Sequence, residues 1–572
     1  MKHLFSLNEL MLPKFLLFIL MGRKVYILRV AAIVPRLNNF LKHIVSIGIK
    51  GGYVQDAVDL VPELKMYRQY ERRFYFKEVF KNYEPWQDHY YGFERPKILN
   101  DPIYGYGFKQ MTCSYTFWKV IEIYLLDAIS QKYDPENFSA HGIMEDTIAM
   151  GREHFGANFD QGLIPLSYPR AVMNFLLILF ATLITLAFIL VRTRLKFTPE
   201  KTDVAFDELG DNREFELLKE LSPAGKVLLV RRFPKVSTVL PECLDYIVCR
   251  RMDGVFTPLN ALYASIEIIG DTLSLAVLHF RAPPGLLYEV LTLPYKRLII
   301  RGLVNRFQPG VFIGRDAYNV DHVMRTAELR RLGIKSIGIS NALFSCFSFL
   351  VPNDRYVSFD TYLVYAAPLV KQYSDTWMPG MRVLSTGGYS LPREQLLSNE
   401  SVEGGYILFT IRIAWDSPEM VRMVRAVAAA FPERKVLLQF KGGFVTEEDT
   451  KRLVEECGSG LRNFEYTKED VYVLLPGARY HISDISTFVV EAIRAGATTL
   501  VADLLDQEFN CYRHLPGLTV TTAEELVDKL RALECGEAKY PRQKYFELLG
   551  YKDEEIGFDL LLKELGINSK AA

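Results

Sequence analysis

The chain has 572 residues, which is enough for several domains of ordinary size. Hydrophobic residues make up 49% of it and charged residues 24%, and this composition excludes an intrinsically disordered protein. The 68 basic residues balance the 68 acidic residues, so the charge gives no sign of the basic surface that nucleic-acid binding requires. We therefore expect no nucleic-acid partner.

Residues 1–165 are predicted to form a mainly helical, aromatic-rich region close to a membrane. The apolar stretch from Phe15 to Met21 is too short to span a bilayer, and Arg23 and Lys24 follow it. Between Tyr67 and Tyr91, aromatic residues are mixed with charged ones. This mixture suits either an amphipathic helix at a membrane interface or a helix that packs on the rest of the protein.

The segment from Ala171 to Val191 is predicted to be a single transmembrane helix. It contains no charged residue over about 20 residues, the length that crosses the core of a bilayer. The alternative for such a segment is a buried core helix. Arg192, Arg194 and Lys196 follow, and this positive charge predicts that the C-terminal side faces the cytoplasm. We expect a single-pass protein of the inner membrane, with the domains after the span in the cytoplasm.

Two α/β lobes are predicted after the span, at 200–345 and at 350–545, followed by a tail helix at 546–572. The polar, acidic stretch 197–214 is predicted to be a linker. In the second lobe, apolar strands without alternation are separated by amphipathic helices, which indicates a parallel sheet covered on both faces. The fold class is therefore α/β, with two doubly wound, Rossmann-like lobes. The strands predicted for the second lobe are Gly405–Ile411, Lys435–Phe440, Arg479–Ile482 and Thr498–Asp503.

A cluster of polar residues, in the sequence SDISTFVVEAIRAG, follows the third of these strands. Ligands of doubly wound sheets bind beyond the carboxyl ends of the strands, where the N–H groups of a helix N-terminus favour an anion. The hydroxyls of Ser486 and Thr487 at this place predict a diphosphate site, although ordinary helix capping is the alternative. Glu491 comes two helical turns after Asp484, on the same face, where it can accept hydrogen bonds from a ribose.

The longer segment ISDISTFVVEAIRAGATTLVAD resembles the donor-binding segment of two-lobed (GT-B fold) glycosyltransferases. It is similar in particular to capsule- and teichoic-acid-type transferases and to CDP-glycerol glycerophosphotransferases, over about 355–535. The resemblance implies that Ser486 and Thr487 contact the donor diphosphate and that Glu491 contacts the ribose. The sequence lacks two histidines that often occur in this family, and FKGGF, with Lys441, stands in the place of one of them.

The resemblance implies a membrane-anchored glycosyltransferase of the GT-B type, with a nucleotide-sugar as donor substrate and a lipid-linked or surface-polysaccharide acceptor. Arg412 and Lys441 are the candidate cations that offset the charge of the diphosphate, so we expect neither a metal nor another cofactor. Asp316, at the carboxyl end of a first-lobe strand, is the candidate general base. Two alternatives stay open: a non-catalytic nucleotide-sugar-binding or scaffold protein of polysaccharide assembly, which the missing histidines favour, and a sugar-nucleotide epimerase.

Overall fold

The structure is a computed structural model of the chain, and it contains three parallel β-sheets. It describes residues 1–30, 37–62, 101–156, 159, 161–166, 168–208, 214–231, 240–315, 319–340, 356–397, 404–412, 414–441, 445–504, 511–551 and 556–567, together with the backbone of two short strands at 68–69 and 73–74.

The first sheet belongs to residues 1–165. Its five strands are β1 (Lys2–Leu7), β2 (Val25–Val30), β3 (Val54–Asp56), β6 (Phe138–Ile143) and β7 (Leu163–Pro165). A separate antiparallel pair consists of β4 (Arg68–Gln69) and β5 (Arg73–Phe74). The helices of this region are α1 (Leu12–Leu20), α2 (Asn38–Lys50), α3 (Gly105–Lys132) and α4 (Glu145–Phe155). The strand order is β3-β2-β1-β6-β7, and all pairs in this order are parallel. More of the described residues in this region lie in helices than in strands, as predicted, but the parallel sheet was not predicted, because β1 pairs with a strand more than a hundred residues away and no local pattern reveals such a pairing.

The second sheet has seven strands. They are β8 (Thr202–Glu208), β9 (Val227–Arg231), β10 (Tyr246–Arg250), β11 (Pro309–Gly314), β12 (Lys335–Ile339), β13 (Thr361–Val364) and β14 (Arg382–Ser385). The helices that precede or accompany them are α5 (Arg170–Arg192), α6 (Glu214–Glu220), α7 (Pro258–His279), α8 (Pro284–Phe307), α9 (Val320–Arg331), α10 (Ala367–Val370) and α11 (Arg393–Leu397). The strand order is β10-β9-β8-β11-β12-β13-β14, and every pair is parallel.

Three of these strands differ from the sequence prediction. The central strand β8 lies inside 197–214, which was predicted to be a linker; its apolar core is short and it ends in two acidic residues. Strands β13 and β14 lie inside 350–545, the predicted second lobe, yet they extend the second sheet. The segment that joins the second and third sheets therefore follows β14.

The third sheet has six strands. They are β15 (Tyr406–Ile411), β16 (Val436–Phe440), β17 (Phe464–Tyr466), β18 (Ala478–Ser483), β19 (Thr498–Ala502) and β20 (Thr519–Val520). The remaining helices are α12 (Pro418–Ala430), α13 (Glu447–Gly458), α14 (Val471–Leu474), α15 (Phe488–Arg494), α16 (Ala523–Glu534), α17 (Arg542–Leu549) and α18 (Gly557–Glu564). The strand order is β17-β16-β15-β18-β19-β20, again all parallel. The predicted α/β class with parallel sheets is confirmed.

The C-terminal helix α18 returns to the second sheet. The carboxylate of Glu564 lies 3.0 Å from the ammonium of Lys335 and 2.9 Å from the guanidinium of Arg382. The side chains of Ile556, Phe558 and Leu561 are buried in the core of that sheet. The end of the chain thus packs on the second sheet after the third sheet is complete.

Two helices of the described residues, α5 and α7, are long and apolar enough to cross a membrane. They have 23 and 22 residues, and 28% and 33% of their most apolar windows are buried. The prediction of one transmembrane helix is therefore not confirmed. Both helices pack against α8, and the backbone before α7 approaches that helix closely: a Cβ added at Gly254 would lie 2.5 Å from the carbonyl carbon of Gly302.

We expect Gly254→Ala to lower the free energy of unfolding by about 1–3 kcal/mol, because the atoms that its Cβ meets are backbone and cannot rotate away. The matched control is Gly270→Ala on α7, where nothing lies within 4 Å of an added Cβ. That variant should gain about 0.5–1 kcal/mol from helix propensity. Urea unfolding followed by circular dichroism measures both, and equal stability of the two variants would contradict this packing.

Candidate functional site

The segments beyond the carboxyl ends of strands in the second and third sheets pack against each other. Helix α15, which follows β18, contributes Val489 and Ile493 to one core together with Tyr365, just after β13. It contributes Phe488 to another core together with Tyr389, after β14. Ligands of doubly wound sheets bind beyond the carboxyl ends of strands, where the strand order reverses. In the third sheet, this reversal lies between β15 and β18, so the candidate site is the edge that they share.

Three of the predicted donor-binding residues lie together at this edge. The carboxylate of Asp484 is buried and accepts hydrogen bonds from the backbone N–H groups of Arg412 and Ala414, each at 2.9 Å. The backbone N–H of Lys441 donates to the carbonyl of Ile411 at 2.9 Å, so Lys441 lies beside Arg412, and its side chain is exposed. Asp484 therefore shapes the loop after β15, while the two predicted cations stand at neighbouring strand ends.

Ser486 and Thr487 are half-buried at the start of α15. The Ser486 hydroxyl accepts a hydrogen bond from the N–H of Phe488 at 3.3 Å, and the backbone carbonyl of Ser486 accepts one from the Tyr512 hydroxyl. Helix α15 has seven residues, and its N-cap, Thr487, makes no capping hydrogen bond through its side chain. The hydroxyl of Ser486 thus supports the first turn of the helix locally, and a diphosphate contact there stays a prediction.

Glu491 lies inside the junction of the two lobes, with 1% of its surface exposed. Its Oε2 accepts a hydrogen bond of 2.8 Å from the hydroxyl of Tyr472 on α14, a residue that the sequence analysis did not identify. On another side it meets Gly388, where φ is 115° and an added Cβ would lie 2.6 Å from Oε1. The hydroxyl of Tyr472 therefore replaces part of the hydration that the buried carboxylate of Glu491 has lost. Ribose binding by Glu491 stays a prediction.

His481 lies below this edge, fully buried within β18. Its Nε2 is 2.9 Å from the Thr410 hydroxyl on β15, and its ring meets Phe488 edge to face. Burial lowers the pKa of His481 to about 3, so the imidazole is neutral at neutral pH. The residue is a packed histidine of the core.

The predicted base, Asp316, lies outside the described residues. Its neighbour Arg315, just after β11, is buried and lies 3.3 Å from the carboxylate of Glu214. Asp321, five residues further on, pairs with Lys296 of α8. Burial raises the pKa of this carboxyl, but Lys296 outweighs that effect and holds the pKa below its usual value.

A second charged cluster, which the sequence analysis missed, lies at the carboxyl end of β8. This is where the strand order of the second sheet reverses. Asp207 is fully buried; it contacts the guanidinium of Arg325, and Arg251 Nη2 lies 3.2 Å from its Oδ2. Nε2 of His322 is 3.2 Å from the same Arg251 nitrogen. The sequence does contain a pattern that could have identified this cluster: the apolar residues VAF followed by two acids, as in a strand that ends at a functional edge.

Within the described residues, no group of three or more His, Cys, Asp or Glu side chains could hold a metal ion. The groups that could meet an anion at the third-sheet edge are Arg412 and Lys441. At the second-sheet edge, Arg251 and Arg231 are partly exposed cations, and Arg231 is paired with Glu208.

Comparison with solved structures finds proteins that cover 64% of this chain. The S. aureus protein MnaA in complex with UDP is 10% identical and 97% covered, with a TM-score of 0.37. Phytolacca americana UGT2 is 14% identical and 99% covered, with a TM-score of 0.38. The UDP-GlcNAc 2-epimerase from Neisseria meningitidis bound to UDP-GlcNAc is 11% identical and 99% covered, with a TM-score of 0.38.

No protein-family model and no curated protein matches the sequence. The predicted resemblance to two-lobed glycosyltransferases is found again among the similar structures. The function of the chain is inferred from its own residues.

We expect the stability of the protein to fall below pH 6.5 in part because of His481. The unfolded histidine has a pKa near 6.5 and the folded one about 3, so acid favours the unfolded state, which alone binds the proton. The stabilisation is complete above pH 6.5 and is lost as the pH falls toward 3, at up to about 1.4 kcal/mol per pH unit.

Urea titrations at several pH values measure this slope for the native chain and for His481→Gln. The variant should show a shallower acid dependence than the native protein. The control is His154→Gln, at an exposed position, which should leave the slope unchanged. An identical slope in all three proteins would contradict the buried, neutral state of His481.

Proposed function

We propose that the chain is a glycosyltransferase that binds a nucleotide-sugar at the third sheet and transfers the sugar to a lipid-linked or surface-polysaccharide acceptor. The observation that carries the proposal is the meeting of the carboxyl-end segments of two doubly wound sheets at α15. Each sheet reverses its strand order once, and basic side chains stand beside each reversal. Two such edges, in sheets that pack together through α15, provide one place for an anionic donor and one for an acceptor.

On the donor side, Arg412 and Lys441 supply positive charge at adjacent strand ends. A departing nucleoside diphosphate gains negative charge as its bond to the sugar breaks, and cations already in place stabilise that charge without a bound metal. The hydroxyls of Ser486 and Thr487 lie at the same edge and are half-buried, so they are reachable by a ligand. In this proposal Glu491 holds the ribose from within the lobe junction.

On the acceptor side, Asp316 is the proposed base. It would take the proton of the acceptor hydroxyl while the new bond to the sugar forms and the bond to the diphosphate breaks. Asp207, Arg251 and His322 lie at the end of β8, next to β11, from which Asp316 follows by two residues. We propose that the half-exposed Arg251 orients an anionic acceptor there. The apolar helices α5 and α7 support association with a membrane, and lobes on its cytoplasmic side would meet nucleotide-sugars.

A non-catalytic nucleotide-sugar-binding or scaffold protein is the second candidate. Two of the predicted ligand-binding acids are hydrogen-bonded within the protein: Asp484 to backbone N–H groups and Glu491 to Tyr472. Lys441 stands where the resembled families often have a histidine. Purified protein incubated with UDP- and CDP-activated sugars separates the two: release of free nucleotide supports the transferase, and saturable binding without release supports the scaffold.

We expect Lys441→Ala to weaken the binding of UDP or CDP, measured by titration calorimetry, by at least about tenfold, because a charge-assisted contact to the diphosphate is lost. The matched control is Lys435→Ala. Lys435 precedes the same strand, β16, at its opposite end, and pairs with Glu465 on the surface. Equal binding by both variants would contradict a diphosphate site at the carboxyl edge.

Glu491→Gln tests the ribose contact separately. The variant should weaken the binding of UDP or CDP by about tenfold, as expected for the loss of a hydrogen bond to a charged group, while the binding of inorganic pyrophosphate, which has no ribose, stays unchanged. Tyr472→Phe is the control for packing, because it removes the hydroxyl partner of Glu491 and keeps the carboxylate. If both variants lower thermal stability alike and leave nucleotide binding intact, Glu491 serves the lobe junction alone.

A further inference from the structure

The helices α5 and α7 together expose a charge-free surface, which we call the apolar face. Its central residues repeat at intervals of four or seven and are each between 46% and 66% exposed: Phe175, Leu179 and Leu183 on α5, and Leu262, Ile266 and Leu273 on α7. No acidic residue occurs between Tyr168 and Lys196. The two acids of α7, Glu267 and Asp271, are turned toward Arg297 of α8, each at 2.8 Å.

Both ends of α7 are attached to the second sheet and its helices. At its start, the N–H of Val255 donates to the carbonyl of Gly302 in α8 at 3.0 Å. At its end, the ring of His279 stacks on Phe108 of α3 at 5.3 Å, and the preceding residue of α3, Gly107, lies directly against Met324 of α9. Both ends of α7 therefore lie against other elements of the fold: α8 at the start, and α3, which itself meets α9, at the end.

Both ends of α5 are in turn attached to α7. Near its start, the amide of Asn174 donates to the carbonyls of Phe280 and Ala282, at 2.6 and 3.1 Å. At its end, the N–H of Phe256 donates to the carbonyl of Arg192 at 3.0 Å. The two helices therefore run side by side in opposite chain directions, and α5 follows α7 along the same body.

The first region of the chain lies on the same body. Phe108, Val120 and Leu126 of α3 share a core with Leu4 of the first sheet and with residues of α7, α8 and α9. Residues on both sides of α5 along the chain are thus in direct contact, which a single crossing by α5 would forbid.

We propose that the apolar face lies in the headgroup region of an anionic lipid bilayer, with α5 and α7 parallel to the membrane and neither helix crossing it. The predicted single-pass topology is replaced by attachment from one side. Charge selects the bilayer as the occupant, because exposed basic residues flank the face: Arg194 and Lys196 at one end and Arg281 at the other. Basic margins around an apolar surface match acyl chains bordered by anionic phosphates.

The surface continues onto α1 of the first region. A cavity is lined by Lys14 of α1 and by Tyr168 and Met173 at the start of α5, so the two helices are neighbours. Leu17 and Leu20 of α1 are 53% and 84% exposed. The short apolar helix near the N-terminus thus extends the same lipid-binding side.

Flotation of the purified full chain with vesicles tests the proposal. We expect binding to phosphatidylcholine vesicles that contain phosphatidylglycerol. The double variant Leu183→Gln/Ile266→Gln should lower that binding by at least about tenfold, because two exposed apolar side chains no longer enter the membrane. The matched control, Val473→Gln/Leu548→Gln, changes two exposed apolar residues away from the face and should bind as the native chain does.

Charge is tested by Arg194→Gln/Lys196→Gln. This variant should lose about tenfold in binding to the anionic vesicles and little on pure phosphatidylcholine. If light scattering instead shows a dimer that the Leu183→Gln/Ile266→Gln variant abolishes, and the native chain binds no vesicles, the occupant is a second copy and the proposal is overturned.

Topology is tested with a membrane-impermeant maleimide on sealed vesicles of both orientations. Glu136→Cys places a thiol on the exposed surface of the first region, and the native Cys535 is exposed beyond the third sheet. One-sided attachment predicts that both thiols are labelled in the same orientation, as located by peptide mass spectrometry. Labelling in opposite orientations would establish a crossing and overturn the proposal.

Discussion

The packing of α15 between the second and third sheets is the constraint on which the two-lobed arrangement depends. A seven-residue helix is marginal on its own, so its stability comes from the two cores that it closes. Val489 and Ile493 belong to one core and Phe488 to the other. Because this helix follows β18, the strand end that would meet a ligand and the contact between the lobes are formed by adjacent residues. A ligand at this edge would therefore contact residues adjacent to the lobe junction.

The same constraint explains why charged groups are buried here. Glu491 is hydrogen-bonded to Tyr472, and the buried guanidinium of Arg494 lies over the rings of Phe546 and Tyr551. An ionised group inside a protein is tolerated only where partners replace its hydration. At the edge of the second sheet, Asp207 is held in the same way by Arg325. Each lobe thus carries a buried acid at its reversal of strand order, and the more exposed groups around it are cations.

The first sheet and the helices α3, α5, α7 and α8 form a part of the chain that a two-lobed α/β protein does not need. Helix α3 covers the first sheet and also meets α7, α8 and α9, so the extra region is joined to the second sheet through one continuous core. The apolar sides of α5 and α7 face outward from this layer of helices. The two proposals therefore assign donor binding and membrane attachment to different elements of the chain: the edge of the third sheet and the helices α5 and α7.

The amino-acid sequence by itself determined the α/β class and four of the six strands of the third sheet. The predicted strand Lys435–Phe440 is observed at Val436–Phe440, and Thr498–Asp503 at Thr498–Ala502. These strands are buried on both faces and lie between capped amphipathic helices, so neighbouring residues carry the whole signal. The positions of Arg412, Lys441 and Asp484 at one edge followed from the same pattern, because parallel strands end on the same side.

Tertiary structure alone decided the rest. Strand β8 resembled a linker because it ends in two acids, and their partners lie elsewhere in the chain: Arg325 and Arg251 for Asp207, and Arg231 for Glu208. The first sheet was missed because β1 pairs with β6, far away along the chain. The tyrosine beside Glu491 came from another helix. The apolar composition of α5 is the same whether it crosses a bilayer or lies along it; the contacts of its two ends with one body distinguish these cases, and such contacts are absent from any local pattern.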